Sequence, residues 1–111
     1  LNKMRRENPA LQDFRNALFL NAWNENVLAY AKLTPERDNC VVVIVNLDPR
    51  NRQDTSLEIP LWEFGLRDHA TIEAQDLLHD SRFTLHGKVQ TVALDPIERP
   101  VLIWRLIPPT P

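Results

Sequence analysis

Short apolar runs, broken every few residues by polar or proline-containing stretches, fill most of this chain. From residue 16 onward the runs are NALFLNAW (16–23), NVLAYAKL (26–33), NCVVVIVNL (39–47), DTSLEI (54–59), ATIEAQD (70–76), SRFTLH (81–86), KVQTVAL (88–94) and PVLIWRLI (100–107). Eight such runs at roughly ten-residue spacing predict an all-β, antiparallel β-sandwich. The one continuous apolar run, CVVVIV over 40–45, predicts a central strand covered on both faces.

The breaks supply turn chemistry. Asn24-Glu25 is expected to close a tight hairpin between the first two strands, and Pro35 to Asp38 to join the second and third. Asp48-Pro49 should end the third strand, because proline cannot donate to the ladder. Gly87 lies between two strands and can adopt positive φ. Residues 60–65, PLWEFG, read as one helical turn, with Pro60 at the first helical position and Gly65 just past the last. The tail PPTP is expected to be extended and frayed. Every break is short, which argues for one compact unit.

The start of the chain has a different period. LNKMRRENPALQ (1–12) places Leu1, Met4, Asn8 and Leu11 near one helix face and Lys3, Arg5, Arg6 and Glu7 elsewhere. Pro9 disfavours helix at Asn8 and should end the regular part there. So short an amphipathic helix is marginal alone and needs something to pack on. It is read as the tail of an upstream domain, giving a helix over 1–14 followed by the sandwich over 15–111.

Composition narrows the function classes. The chain has 111 residues, 43% of them hydrophobic, and a formal net charge of −2. That is one domain with a real core, and neither a strongly basic nucleic-acid binder nor a polybasic membrane-surface module. No apolar run approaches the roughly 18 residues of a spanning helix. One Cys excludes an internal disulfide framework and a cysteine-based zinc site, and two Gly far apart leave no phosphate-binding loop.

The residues that could carry chemistry read better as structure. His69, His79 and His86 sit at turns or strand ends without metal-ligand spacing, so solvated loop histidines are expected and no metal or other cofactor is called for. Cys40 opens the most apolar strand, with nothing local to depress its pKa, and reads as a small buried hydrophobe. Glu58 and Glu63 flank the helical turn, and Asp76 and Asp80 flank another turn. Neither spacing predicts the separation a glycosidase pair needs. Ser56 and Ser81 lie at strand ends without a nucleophile elbow. Trp104 alternates with Leu102 and Leu106, and Trp62 sits among Leu61, Phe64 and Leu66, so both read as core. Trp23, beside a polar hairpin, is the plausible exposed aromatic platform, with Tyr30 as a second candidate. No catalytic, cofactor-binding or metal-binding residue is assigned.

Several stretches together resemble the C-terminal region of family 13 glycoside hydrolases, the α-amylase superfamily, and within it the α-1,4-glucan:maltose-1-phosphate maltosyltransferase group. LNKMRRENPALQ resembles the final helix of that family's (β/α)₈ barrel, and NVLAYAK (26–32) its first sandwich hairpin. VVVIVNLDP (41–49) resembles its V-N-L-D-P strand end, and LWEFGL (61–66) its short helix. DLLHDSRFTLHG, from Asp76, resembles its D-L-L-T-x-x-x-Y-x-W-x-G hairpin, with Phe83 where Tyr is usual and Leu85 where Trp is usual. VALDPIERPVLIWRL resembles its V-x-L-D-P…P-A-H-I-F-R-L ending, with Val101-Leu102 in place of Ala-His.

The resemblance implies a cytoplasmic parent enzyme with a retaining mechanism, an Asp nucleophile and a Glu acid/base at the barrel's C-terminal face. That enzyme moves maltosyl units from maltose 1-phosphate to an α-1,4-glucan end. Both carboxylates lie upstream in the family, so this chain is expected to be a non-catalytic sandwich whose partner is the catalytic barrel of the same polypeptide. Lost barrel contacts should leave an apolar patch near residues 1–14 that lets isolated fragments self-associate. Two alternatives stay open: the C-terminal domain of a trehalose synthase or another α-amylase family enzyme, and a carbohydrate-binding module making weak α-glucan contacts.

Overall fold

The computed structural model describes residues 2–12, 17–35 and 39–108. Eight strands form two antiparallel sheets: β1 (Ala17–Phe19), β2 (Val27–Leu33), β3 (Cys40–Asn46), β4 (Gln53–Glu58), β5 (Thr71–Asp76), β6 (Ser81–His86), β7 (Val89–Leu94) and β8 (Val101–Ile107). The large sheet has the order β1-β2-β3-β8-β5-β6, and β4 pairs with β7 in the small one. The chain changes sheet at four connections: β3 to β4, β4 to β5, β6 to β7 and β7 to β8.

The apolar positions that alternate along the strands meet between the sheets. Ala29, Ala31, Val42, Ile44, Leu102, Trp104 and Leu106 of the large sheet share one core cluster with Leu57, Val92 and Leu94 of the small one. Phe83 meets Trp104 edge to face, with ring centroids 5.2 Å apart and planes at 73°, a geometry aromatic pairs favour. The continuous run CVVVIV forms β3, flanked by β2 and β8 and buried on both faces from Cys40 to Ile44.

The expected leading helix is shorter than one continuous element. A six-residue helix, α1 (Asn2–Glu7), gives way after Asn8 to a 3₁₀ turn over Pro9–Gln12, as Pro9 demands. This leading segment lies on the outer side of the large sheet, where the 3₁₀ turn packs against β2 and β3. Val41, on that side of β3, is completely buried. The boundary expected at residues 14 and 15, the turn core 36–38 and the tail beyond Pro108 fall outside the described residues.

Four expectations need correction. The first strand stops at Phe19 instead of running to residue 23. Asn21–Trp23 crosses to the small sheet, where Ala22 bridges Leu57, so Asn24-Glu25 does not close a tight hairpin between β1 and β2. The turn over Leu61–Phe64 is 3₁₀, with Pro60 before its first residue and Gly65 left-handed at φ 69° after its last. Trp62 is 48% exposed rather than core, while its neighbour Leu61 is fully buried. Three residues per 3₁₀ turn put Leu61 and Phe64 on one side and turn Trp62 away.

Candidate functional site

Asp76, His79, Asp80 and Glu58 are committed to local structural tasks. Asp76, at the end of β5, accepts hydrogen bonds from the backbone N–H groups of Leu78 (2.9 Å) and His79 (3.0 Å). Its second oxygen lies 3.2 Å from Nδ1 of His79. Asp80, left-handed at φ 53°, accepts from the Gln75 amide at 2.9 Å. These four side chains close the β5–β6 turn. His69 and His86 are exposed. Among the described residues no three His, Cys, Asp or Glu converge to hold a metal ion, and no helix is long and apolar enough to cross a membrane.

Glu58 lies far in role from a catalytic acid. The Asn21 amide (2.8 Å) and Lys88 (3.1 Å) both bind its carboxylate and hold it below the usual carboxylate range. Lys88 also reaches Asp68 at 3.2 Å, and its two carboxylate partners push its ammonium above the ordinary lysine value. This trio ties the β6–β7 crossover to β4. The same crossover uses Gly87 at φ 79°, whose N–H donates to Ala70 O at 2.8 Å. Cys40 is buried, and burial, helped by the negative field of Glu63, pushes its thiol up to about 12. It is inert at neutral pH.

Sequence reasoning missed three buried asparagines. Asn39 donates from Nδ2 to Oδ1 of Asn8 at 3.0 Å and accepts the Ala10 N–H at 3.0 Å. Both side chains are buried. This pair latches the leading segment onto the start of β3. Asn46 donates to Leu94 O (3.0 Å) and Asn51 O (3.1 Å) and accepts the Asp48 N–H at 2.7 Å. It therefore ties the end of β3 to the end of β7. Asp48 in turn accepts from the N–H groups of Arg50 and Asn51 and from the Asn51 and Gln53 amides, which lowers its pKa. The V-N-L-D-P stretch is thus a structural corner between the sheets.

Two outward faces remain. On the large sheet the strand register aligns Phe19, Tyr30, Val43 and Ile103 in one row, and Leu28, Val45 and Val101 in the next. Phe19 is 70% exposed and stands edge to face with Tyr30, centroids 6.2 Å apart. The exposed apolar residues on this side, Phe19 and Leu28, lie on the sheet itself; no large hydrophobic among the described residues of 2–12 is exposed.

The outer face of the small sheet is polar, with Ser56 opposite Thr91 and Asp54 opposite Ala93. An open groove of about 530 Å³ there is lined by Trp23, Asp54, Thr55, Ser56 and Thr91. Trp23 is 62% exposed, as expected for a platform. A second cleft of about 500 Å³ opens between β6 and β7, with Phe83 and Trp104 at its base and Arg99, Gln90 and His79 among its polar lining.

Comparison with known proteins assigns the fold to a family. The family model described as "GLGE, C-terminal" matches residues 19–106. The chain is 48% identical over 109 residues to an α-1,4-glucan:maltose-1-phosphate maltosyltransferase of Cereibacter sphaeroides, covering 98% of this chain and 16% of that protein. It is 45% identical to the enzyme of the same name from Pseudomonas aeruginosa, covering 96% of this chain and again 16% of the relative. Among solved structures, an Anoxybacillus α-amylase superposes with TM-score 0.61 at 18% identity, over 98% of this chain and 21% of its own. A family 27 β-L-arabinopyranosidase from Geobacillus stearothermophilus superposes with TM-score 0.58 at 18% identity, over 86% and 21%. These last two share the fold alone. The chain spans about 16% of the length of the maltosyltransferases it matches, and it belongs to the family of GLGE C-terminal domains, the C-terminal part of α-1,4-glucan:maltose-1-phosphate maltosyltransferases.

Proposed function

We propose that this domain is the non-catalytic C-terminal sandwich of a larger enzyme that transfers maltosyl units from maltose 1-phosphate to α-1,4-glucan. Its role is to cover and stabilise the catalytic barrel of the same polypeptide. In this reading residues 1–14 end the barrel's last helix, residues 15–111 form the sandwich domain, and the enzyme works in the cytoplasm. The catalytic carboxylates lie in the barrel.

The observation that carries the reading is the apolar double row Phe19–Tyr30–Val43–Ile103 and Leu28–Val45–Val101 on the large sheet, in which Phe19 and Leu28 are exposed, Val43 is already buried by its neighbours and the rest are half-buried. A contiguous apolar surface of this kind marks an interface. Its occupant is the remainder of the parent chain, for two reasons. The relatives are roughly six times longer than this domain, as its 16% share of them implies. The leading segment already sits on the same side of the same sheet, latched by Asn8 and Asn39, so the face continues a surface the chain itself has begun to cover.

The test has two parts. The full-length parent is incubated with maltose 1-phosphate and a short maltooligosaccharide. Phosphate release with growth in two-glucose steps is the expected result, and interconversion of maltose and trehalose without phosphate release would overturn the assignment. A Phe19→Asp, Leu28→Asp double variant is then compared in the parent and in the isolated domain. Loss of thermal stability in the parent, with little change in the isolated domain, supports docking through this face. Equal, small effects in both would reject it.

A further inference from the structure

The groove on the small sheet faces away from the docking rows, because the two outer faces lie on opposite sides of one core. We infer that Trp23 and this groove form a surface site for an α-1,4-glucan chain, an inference that takes its ligand from the α-glucan reading of the parent. Trp23 stands as a large aromatic ring, 62% exposed, beside a polar sheet face. Its backbone is nonetheless fixed. The Trp23 N–H donates to Ser56 O at 3.1 Å, and the Glu58 N–H donates to Asn21 O at 3.0 Å. The Asn24 amide donates to Asp54 O and to Oε1 of Gln53, each at 3.0 Å. Trp23 is thereby pinned on both sides to β4, so little backbone freedom remains to be lost when a ligand binds.

The lining matches a pyranose chain. A sugar ring offers an apolar C–H face and a rim of hydroxyls. The indole supplies an apolar surface with a polar edge, and Ser56 and Thr91, whose hydroxyls are 3.2 Å apart, offer donors and acceptors beside it. The single lining charge, Asp54, is partly neutralised by the Arg52 guanidinium at 2.9 Å. A lining without a cation suits a neutral polyol and disfavours a phosphate or a nucleic acid.

The experiment uses the full-length parent in native gels cast with amylopectin. Wild type is compared with Trp23→Ala, Trp23→Phe and the exposed-tryptophan control Trp62→Ala. Trp23→Ala is expected to lose retardation, with apparent affinity roughly five- to tenfold weaker. Trp23→Phe should recover part of it, and Trp62→Ala should behave as wild type. Phosphate release with a short acceptor should be the same in all four. Trp23→Ala retarded like wild type would overturn the site, as would an equal Trp23-dependent retardation in a β-1,4-glucan gel. The parent's own activity is read separately on the same samples. Trp23-dependent retardation without phosphate release would sink the maltosyltransferase reading and leave the glucan site standing.

Discussion

The two outward faces of this domain are built from the same element and differ in almost everything else. On the large sheet the outward positions of β2, β3 and β8 are Leu28, Tyr30, Lys32, Val41, Val43, Val45, Val101, Ile103, Arg105 and Ile107, so two apolar rows border one that carries Lys32 and Arg105. On the small sheet those of β4 and β7 are Asp54, Ser56, Glu58, Val89, Thr91 and Ala93. A face made of the first set gains by being covered, at about 25 cal/mol per Å² of apolar surface removed from water. A face made of the second set gains little from burial, because each polar group would need a new partner. The lesson is that one sandwich can present an apolar face that gains by being covered and a polar face suited to solvent or a hydrated ligand. The direction of each is set by a period-two alternation that a single register slip would reverse.

The sharpest way to break the comparison is to remove what keeps the faces apart. Trp104 fills the core between the sheets and packs on Phe83. Trp104→Ala is expected to cost about 3–5 kcal/mol, measured as the urea midpoint of the isolated domain, and to degrade both faces together. A loss below about 1 kcal/mol would mean that the two sheets do not share a core. The next largest effect should be one-sided. Asn39→Ala removes the donor to the buried side-chain Oδ1 of Asn8 and the acceptor that the Ala10 N–H uses, at about 1–3 kcal/mol. Amide exchange should rise in residues 3–11 and stay slow in β4 and β7. Uniform acceleration would show that the leading segment is part of the global fold and not an addition to one face.

Much of this architecture is legible in the sequence, for a local reason. Strand positions follow from alternation and from Pro, Gly and Asp breaks, and the continuous CVVVIV run marks β3 as central because covering both faces removes the need for alternation. What was illegible depends on partners far away in the chain. The run 16–23 looks like one strand, yet its second half leaves for β4, and the Ala22–Leu57 bridge that draws it there joins residues with no local relation. The asparagine latch joins positions 31 residues apart, and a pattern reading places polar residues outside by default. Trp62 reads as core because Leu61, Phe64 and Leu66 around it are apolar, yet the 3₁₀ turn buries Leu61 and turns Trp62 outward. Trp23 was legible as exposed because its flanks, Asn21, Asn24, Glu25 and Asn26, are polar on both sides. Its groove was not, since Ser56 and Thr91 come from strands that meet only in the fold.

The smallest expected effect concerns the corners where the chain changes sheet. Asp48 in the β3–β4 connection and Asp95 in the β7–β8 connection each accept two backbone N–H groups, from Arg50 and Asn51 and from Ile97 and Glu98. Those bonds hold both carboxyls below their ordinary range, with the backbone N–H of Arg50 leading for Asp48 and that of Glu98 for Asp95. A carboxyl whose folded pKa is depressed favours the folded state once pH exceeds its unfolded value, about 4. That contribution fades as pH falls through the folded value. The melting temperature of the isolated domain should therefore drop between about pH 5 and pH 2, and the drop should be shallower in an Asp48→Asn, Asp95→Asn variant. Asparagine keeps an acceptor oxygen at each turn, so the variant should start from a slightly lower plateau near neutral pH and converge with wild type in acid. Parallel acid limbs in the two proteins would show that these corners are held by the Asn46 amide and the strand ladders alone. The orientation of the two faces would then owe nothing to the charge on these turns.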